Sequence, residues 1–265
     1  MKHLRRQVLE SAALHELFGG PVDVFDSGAQ SPQDNMDFDT ERALALGRGE
    51  ALPMLRLYAW SPWAVSLGKH QNEDDIDAAR LQARGYEMVR RPTGGRAVFH
   101  AEELTYAVTV RLDEGRGPTE IYRLVNERLL DGLQALAEAL SYEKSQTDFR
   151  KHYSVPKRSL PCFSSSARYE IVFEGRKLVG SAQRRLGNVV LQHGSILLGA
   201  AHAELADLAQ LDSDAARRAM RLALNNQTAT LSELHGSPVD YATAAEAVLR
   251  GFVQDADVQA RLAAS

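Results

Sequence analysis

Residues 53–110 carry their apolar side chains in runs too short for a helical bundle. The segments 53–60, 63–67, 86–90, 97–100 and 104–110 are each four to eight residues long and end at Gly, Pro or charged positions, so each reads as a strand. A short polar break separates the last two, which predicts a hairpin. One helical pattern interrupts the strands, over 74–84, with Ile76, Ala79, Leu81 and Ala83 on one stripe and Gly85 as its stop. The acidic group Glu73, Asp74, Asp75 and Asp77 suits the start of that helix, where carboxylates meet the positive end of the dipole. The longest helical pattern covers 118–140 and repeats Ile121, Leu124, Val125, Leu129, Leu133, Leu136 and Leu140 behind a first-turn Pro118.

The flanks complete an α+β pattern. A helix is expected over 2–18, then a strand over 22–25, a polar loop over 27–33 and a second helix through Met36, Ala43, Leu44 and Leu46. Three more strands are expected at 169–173, 177–183 and 189–198, with turns at Gly175 and at Gly187-Asn188. Helices follow at 212–224, 232–234 and 240–252. The pattern predicts a mixed, largely antiparallel sheet flanked by helices. It also predicts one domain over 1–265, with 203–265 as a helical tail of that domain.

Composition narrows the function classes. The 265 residues carry a net charge of −4, which gives no electrostatic case for nucleic acid. The single cysteine, Cys162, excludes an intramolecular disulfide and a multi-cysteine metal site. The histidines show no metal-ligand spacing, so no metal is expected. The first residues are too polar for a signal-peptide core, and no apolar run approaches the roughly 20 residues of a membrane helix. The expectation is a cytoplasmic protein without a membrane partner.

Two constellations carry chemistry. Cys162 is followed fifteen positions later by Lys177. A lone cysteine is commonly a small buried hydrophobe, and a lysine a solvated charge. Brought together, they would make a nucleophile and its activator: a thiol with an ordinary pKa of about 8.5 becomes a better thiolate beside an ammonium, and can hold an acyl group as a thioester. The second constellation is RRPTGGRAVFH over 90–100. Gly94 and Gly95 permit close backbone approach, Arg90, Arg91 and Arg96 offer guanidinium forks for an anionic group, Thr93 lies inside the turn, and His100 can orient a neighbour or move a proton. An ordinary hairpin turn with solvated arginines is the plainer reading of the same residues.

RRPTGGRAVFHAEELTYAVTV over 90–110, GRKLVGSAQ over 175–183 and LQHGSI over 191–196, in that order and spacing, resemble the biotin/lipoate protein-ligase superfamily. Within it the chain is similar to the lipoate-synthesis octanoyltransferases of the LipM type, from Asn35-Met36 to about Gly251. The resemblance implies a biotin/lipoate protein ligase-like catalytic domain, with Cys162 as the acyl-thioester nucleophile and Lys177 lowering the thiol's pKa and moving protons. It implies a substrate site at Arg91, Thr93, Gly94, Gly95, Arg96, His100, Gly180, Ser181 and Ala182, with Val98, Val179 and Ala182 as liners of the acyl slot. Backbone N–H groups near Gly94-Gly95 or near Cys162-Phe163 would face the oxyanion. The Gly94-Gly95-Arg96 sequence differs from the triple glycine usual in ATP-using relatives, and Lys69-His70 departs from the family pattern after Gly68.

The implied reaction moves an octanoyl group from octanoyl-acyl carrier protein, through Cys162, to a lysine of a lipoyl carrier such as the glycine cleavage H protein or a 2-oxoacid dehydrogenase E2. No ATP or metal is implied, and a monomer is. The rivals are an ATP-dependent lipoate or octanoate ligase, an octanoyl amidotransferase acting between lipoyl carriers, and a non-catalytic module that binds acylated carriers.

Overall fold

The computed structural model describes residues 5–142 and 169–255. The first half contains β1 (Arg5–Leu9), α1 (Ala12–Phe18), β2 (Val22–Gln30), α2 (Pro32–Arg48), β3 (Met54–Trp60), β4 (Ala64–Leu67), α3 (Ala78–Ala83), β5 (Glu87–Arg90), β6 (Val98–His100), β7 (Glu103–Arg111), α4 (Pro118–Leu133) and β8 (Ser141–Tyr142). Then come β9 (Ile171–Phe173), β10 (Arg176–Lys177), β11 (Val179–Leu186), β12 (Val189–Leu197), α5 (Leu205–Leu208), α6 (Asp214–Gln227), α7 (Leu231–His235) and α8 (Tyr241–Val253).

Six strands form the main sheet in the order β1-β2-β3-β7-β12-β11, all antiparallel neighbours except the parallel β2–β3 pair. Alternation along the strands gives the sheet two different faces. Leu104, Tyr106, Val108 and Val110 of β7 join Leu55 and Leu57 of β3 in the principal core, together with Ile121, Leu124, Val125 and Leu129 of α4 and Val248 and Phe252 of α8. The residues between them, Tyr58 and Trp60 on β3 and Ala107 on β7, face the other way and pack with Met36 of α2. A small sheet, β5-β4-β6, belongs to this second side, with Ala64 and Val89 in the same cluster.

Helix α4 stops at Leu133, short of the expected 140, although Leu136 and Leu140 still reach the core. It packs against α8 at close range: a Cβ on Gly132 would lie 2.2 Å from the Ala247 carbonyl oxygen, and one on Gly251 2.2 Å from the Arg128 carbonyl oxygen.

Several expectations change. The helix expected over 2–18 is β1 followed by α1. Ser11 caps the shorter helix by accepting the Leu14 N–H, and β1 is drawn out by its antiparallel pairing with β2 and by Arg6 on Asp23. Val8, counted in the helical stripe, is 55% exposed. The loop expected over 27–33 is the end of β2 up to Gln30, and Ser31 then caps α2. The hairpin expected at 97–110 does not form. After His100 the chain leaves the small sheet, where β6 pairs with β4, and enters the main sheet, where β7 pairs with β3 and β12. The helix expected over 74–84 is one 3-10 turn (Glu73–Asp75) and the single-turn α3, capped by Asp77.

The α4–α8 contact gives a stability prediction. Gly132→Ala forces a methyl group against backbone that cannot rotate away, and urea denaturation should show a loss of about 1–3 kcal/mol without loss of the folded baseline. An unchanged midpoint would contradict the close packing.

Candidate active site

The second face of the main sheet is polar, and the structure buries it. Arg56 on β3 is 1% exposed, so every donor needs an acceptor. Its Nε donates to Ser27 Oγ, its Nη1 to the Asn35 carbonyl and Asp39 Oδ1, and its Nη2 to Asn35 Oδ1. Tyr58 donates to the other oxygen of Asp39, at 3.0 Å. Burial works to raise the Asp39 pKa, but Arg56 and then His193 outweigh it and hold the carboxyl below its ordinary value. Burial also holds His193 below the ordinary histidine range, so its imidazole is neutral near pH 7. His193 Nδ1 faces Asp39 at 3.5 Å, and Nε2 lies 2.6 Å from Thr93 Oγ1.

A second buried network lies beside the first. His100 places Nε2 2.7 Å from Ser66 Oγ and Nδ1 2.7 Å from Glu103 Oε1. That same carboxylate oxygen accepts from Thr105 and Ser195, at 2.5 and 2.9 Å. Trp60 stacks on the His100 ring at 4.0 Å between centroids and donates its indole N–H to Thr105. Ring orientation is therefore fixed from the face and from both nitrogens.

Between these networks runs a cleft. Its lining includes Met36, Tyr58, Trp60, Val98, His100 and His193, together with Gly180, Ser181 and Ala182 of the edge strand β11. Strand register explains why β11 contributes there: Gly180 pairs with Ser195 and Ala182 with His193. Gly194 keeps the strand crossing tight, since a Cβ there would meet the Gly180 carbonyl oxygen at 2.6 Å.

Of the residues singled out from sequence, Arg91, His100, Gly180, Ser181 and Ala182 come together on this cleft, and so does Val98. Val179 is fully buried in the principal core instead. Thr93 is buried behind the lining, on His193. Gly94 and Gly95 form the exposed tip of the 91–96 turn, and Gly95 has φ +95°. Gly68 admits that turn: a Cβ on it would lie 2.0 Å from the Gly95 carbonyl oxygen.

Arg90 and Arg91 act differently from the anion forks expected. Arg91 directs its guanidinium to the carbonyls of Gly94, Arg96 and Ser66 and to Ser66 Oγ. Arg90 holds the carbonyls of Gly68 and Gln71 and pairs with Glu73. Both therefore shape the glycine turn. Arg96 is half-buried, and its carbonyl is one of the Arg91 acceptors.

Lys177 lies three residues before Gly180, at the end of β10, and is buried. Its Nζ is 2.7 Å from Glu170 Oε1, with both side chains nearly excluded from solvent. Cys162 and Phe163 fall outside the described residues. Asp39, Ser66, Glu103, Glu170 and His193 were not singled out from sequence. His193 stands inside the LQHGSI motif, and Glu103 follows His100 by three positions, so both had a local signal.

The family model for the lipoyl protein ligase A/B catalytic domain matches residues 31–253, the span that holds the cleft and, Ser27 apart, both networks. The chain belongs to this lipoyl ligase family. Octanoyltransferase LipM of Kyrpidia tusciae is 40% identical over 232 residues, covering 86% of this chain and 84% of that protein. Octanoyltransferase LipM of Symbiobacterium thermophilum is 39% identical over 242 residues, covering 87% and 85%. Among solved structures, a bipartite lipoate protein ligase from Thermoplasma acidophilum, described with its E2 lipoyl domain, superposes with a TM-score of 0.65 at 19% identity over 86% of this chain and 81% of that one. Lipoate-protein ligase A bound with ATP superposes at 0.63 and 20% identity, over 88% and 83%. These structural likenesses carry the lipoyl ligase fold: a mixed sheet with flanking helices.

The Asp39 centre sets a pH test. Its folded pKa lies below the ordinary 3.8, so its contribution is present above that value and is lost as pH falls through the folded pKa. Asp39→Asn leaves Arg56 buried without its charge partner and should cost about 3–5 kcal/mol at neutral pH. The gap between variant and parent in urea denaturation should begin to narrow as pH falls toward 3.8 and close further below it.

Proposed function

We propose that this chain transfers an octanoyl group from octanoyl-acyl carrier protein to a lysine of a lipoyl-carrier protein, through a thioester at Cys162. The observation that carries this reading is its 32–40% identity to proteins named octanoyltransferase LipM, over about 86% of the chain. The family is that of the lipoyl protein ligase A/B catalytic domain, and relatives 36–40% identical to this chain are named octanoyltransferases.

In the first half-reaction the Cys162 thiolate attacks the thioester carbonyl. A C–S bond forms to Cys162, the C–S bond to the phosphopantetheine arm breaks, and the departing thiolate takes the proton of the Lys177 ammonium, which leaves Lys177 a neutral amine. One thioester replaces another, so the exchange needs no nucleotide and no metal. In the second, the neutral ε-amine of the acceptor lysine attacks octanoyl-Cys162. The new C–N bond forms, the C–S bond breaks, and the proton lost from nitrogen goes to Lys177. As ammonium, Lys177 stabilises the Cys162 thiolate before the first half and again as that thiolate leaves at the end of the second.

The described geometry supports the reading in two ways. The cleft presents apolar surface from Met36, Trp60, Val98 and Ala182 to an acyl chain, with few side chains free to rearrange. Lys177 is held inside the protein, three residues before Gly180 of the cleft lining, and there an amine's charge state would have strong leverage on a thiol brought beside it.

Intact-protein mass spectrometry tests the scheme. Mixing the protein with octanoyl carrier protein, without nucleotide, should add the mass of one octanoyl group, and Cys162→Ala should show no adduct. Lys177→Ala should slow both half-reactions by about a hundredfold or more. Full-rate transfer by Cys162→Ala would overturn the thioester route, and a requirement for ATP with pyrophosphate release would replace it with ligase chemistry.

A further inference from the structure

We propose that Glu170 is the positioning residue of Lys177: its carboxylate fixes where the ammonium sits and holds it ready for proton transfer. The inference deepens the octanoyl-transfer reading and rests on it for its kinetic arm.

The pair is built by a hairpin. Strands β9 and β10 pair antiparallel, with Lys177 opposite Val172 and Arg176 opposite Phe173. The two residues between the strands, Glu174 and Gly175, both have positive φ, at 49° and 75°. That is the turn geometry that locks a two-residue hairpin and its register. Glu170 stands two residues before Val172, so alternation places it on the Val172 side and diagonal to Lys177. The Leu178 N–H donates to the Ile171 carbonyl at 3.0 Å and extends the pairing past Lys177.

The hairpin is also clamped from outside. The Ala229 N–H donates to the Lys177 carbonyl at 3.0 Å, and Arg176 reaches the Thr228 carbonyl and pairs with Glu233 at 2.8 Å. The Lys177 backbone is therefore held on both edges, and the Nζ–Oε1 contact of 2.7 Å determines the end of its side chain.

Energetics favour a functional reason for the pair. The two side chains are only 3% and 4% exposed, and desolvating two charges offsets most of their attraction. An apolar pair of similar volume would serve the hairpin as well or better. A buried amine with a carboxylate partner is instead what a site needs when it must hold an ammonium in one place and pass its proton. Glu170 touches Lys177, and its part in the proposal is played through that lysine.

The test has two arms. In the first, the whole protein is treated with a limiting amount of acetic anhydride, and peptide mass spectrometry compares acetylation at Lys177 with that at exposed Lys69. Glu170→Gln, nearly isosteric, should raise the Lys177/Lys69 ratio by about threefold or more, because the charge of the neighbouring carboxylate is removed. Glu170→Asp, which keeps the charge, should stay near the parent. In the second arm, octanoyl transfer to an apo lipoyl domain is measured for Glu170→Gln, Lys177→Ala and the double variant. Glu170→Gln should lower kcat about tenfold with KM unchanged, and the double variant should match Lys177→Ala alone. Unchanged acetylation in Glu170→Gln, or losses that multiply in the double variant, would overturn the proposal. If the parent transfers no octanoyl group, the functional reading fails, while the acetylation ratio still decides the pairing.

Discussion

A buried arginine governs the site side of this molecule. Arg56 cannot leave the sheet face on which β3 places it, and a solvent-excluded guanidinium demands a full set of acceptors. Asn35 and Asp39 supply them from α2, which seats that helix over the polar face. Asp39 then has a second oxygen to offer, and Tyr58 takes it while His193 turns toward it. His193 in turn fixes Thr93, and Thr93 fixes the glycine turn at its inner end. The chain of dependence runs from one β3 side chain to a loop nearly forty residues later in sequence.

The other half of the molecule follows ordinary packing. Helices α4 and α8 cover the apolar face, and glycines at their crossing let the backbones meet. This side supplies rigidity and no chemistry. The division lets one face of the sheet be optimised for burial of hydrocarbon while the other carries Glu103, Thr105, His193 and Ser195 in fixed rotamers. The cleft between the polar face and the small sheet is therefore lined by side chains whose donors and acceptors are mostly committed to one another. Lys177 belongs to neither network. A separate hairpin holds it, buttressed by the segment 228–233, three residues before Gly180 of β11.

Sequence pattern reveals the apolar half well and the polar half unevenly. The α4 stripe was legible because every turn repeats Leu, Ile or Val, and burial of that stripe is what the core requires. The N-terminal stripe through Val8 misled, because strand pairing with β2 and the Ser11 cap outweighed a helical spacing. The 97–110 hairpin misled for a topological reason: two adjacent strands joined different sheets, which no local pattern records. Within the site, His100, Arg91 and 180–182 were legible because they sit in dense motifs. The part Arg91 plays was not, since its acceptors are backbone carbonyls that only the folded turn brings to it. Asp39 and Ser66 carry no local mark at all, and Glu170 acquires meaning only from the register that sets it diagonal to Lys177. Cys162, the other half of the chemical argument, lies outside the described residues and stands on sequence and family.

The central claim is that acyl transfer by this chain runs on the energy of a thioester rather than of a nucleotide. The most direct measurement is the octanoylation of an apo lipoyl domain by the purified protein, given octanoyl-acyl carrier protein in buffer freed of nucleotide with apyrase. The account predicts complete conversion of the acceptor lysine to the octanoyl amide, at a rate that added ATP and magnesium leave unchanged. Conversion that appears only with ATP, from free octanoate, and with release of pyrophosphate would contradict it.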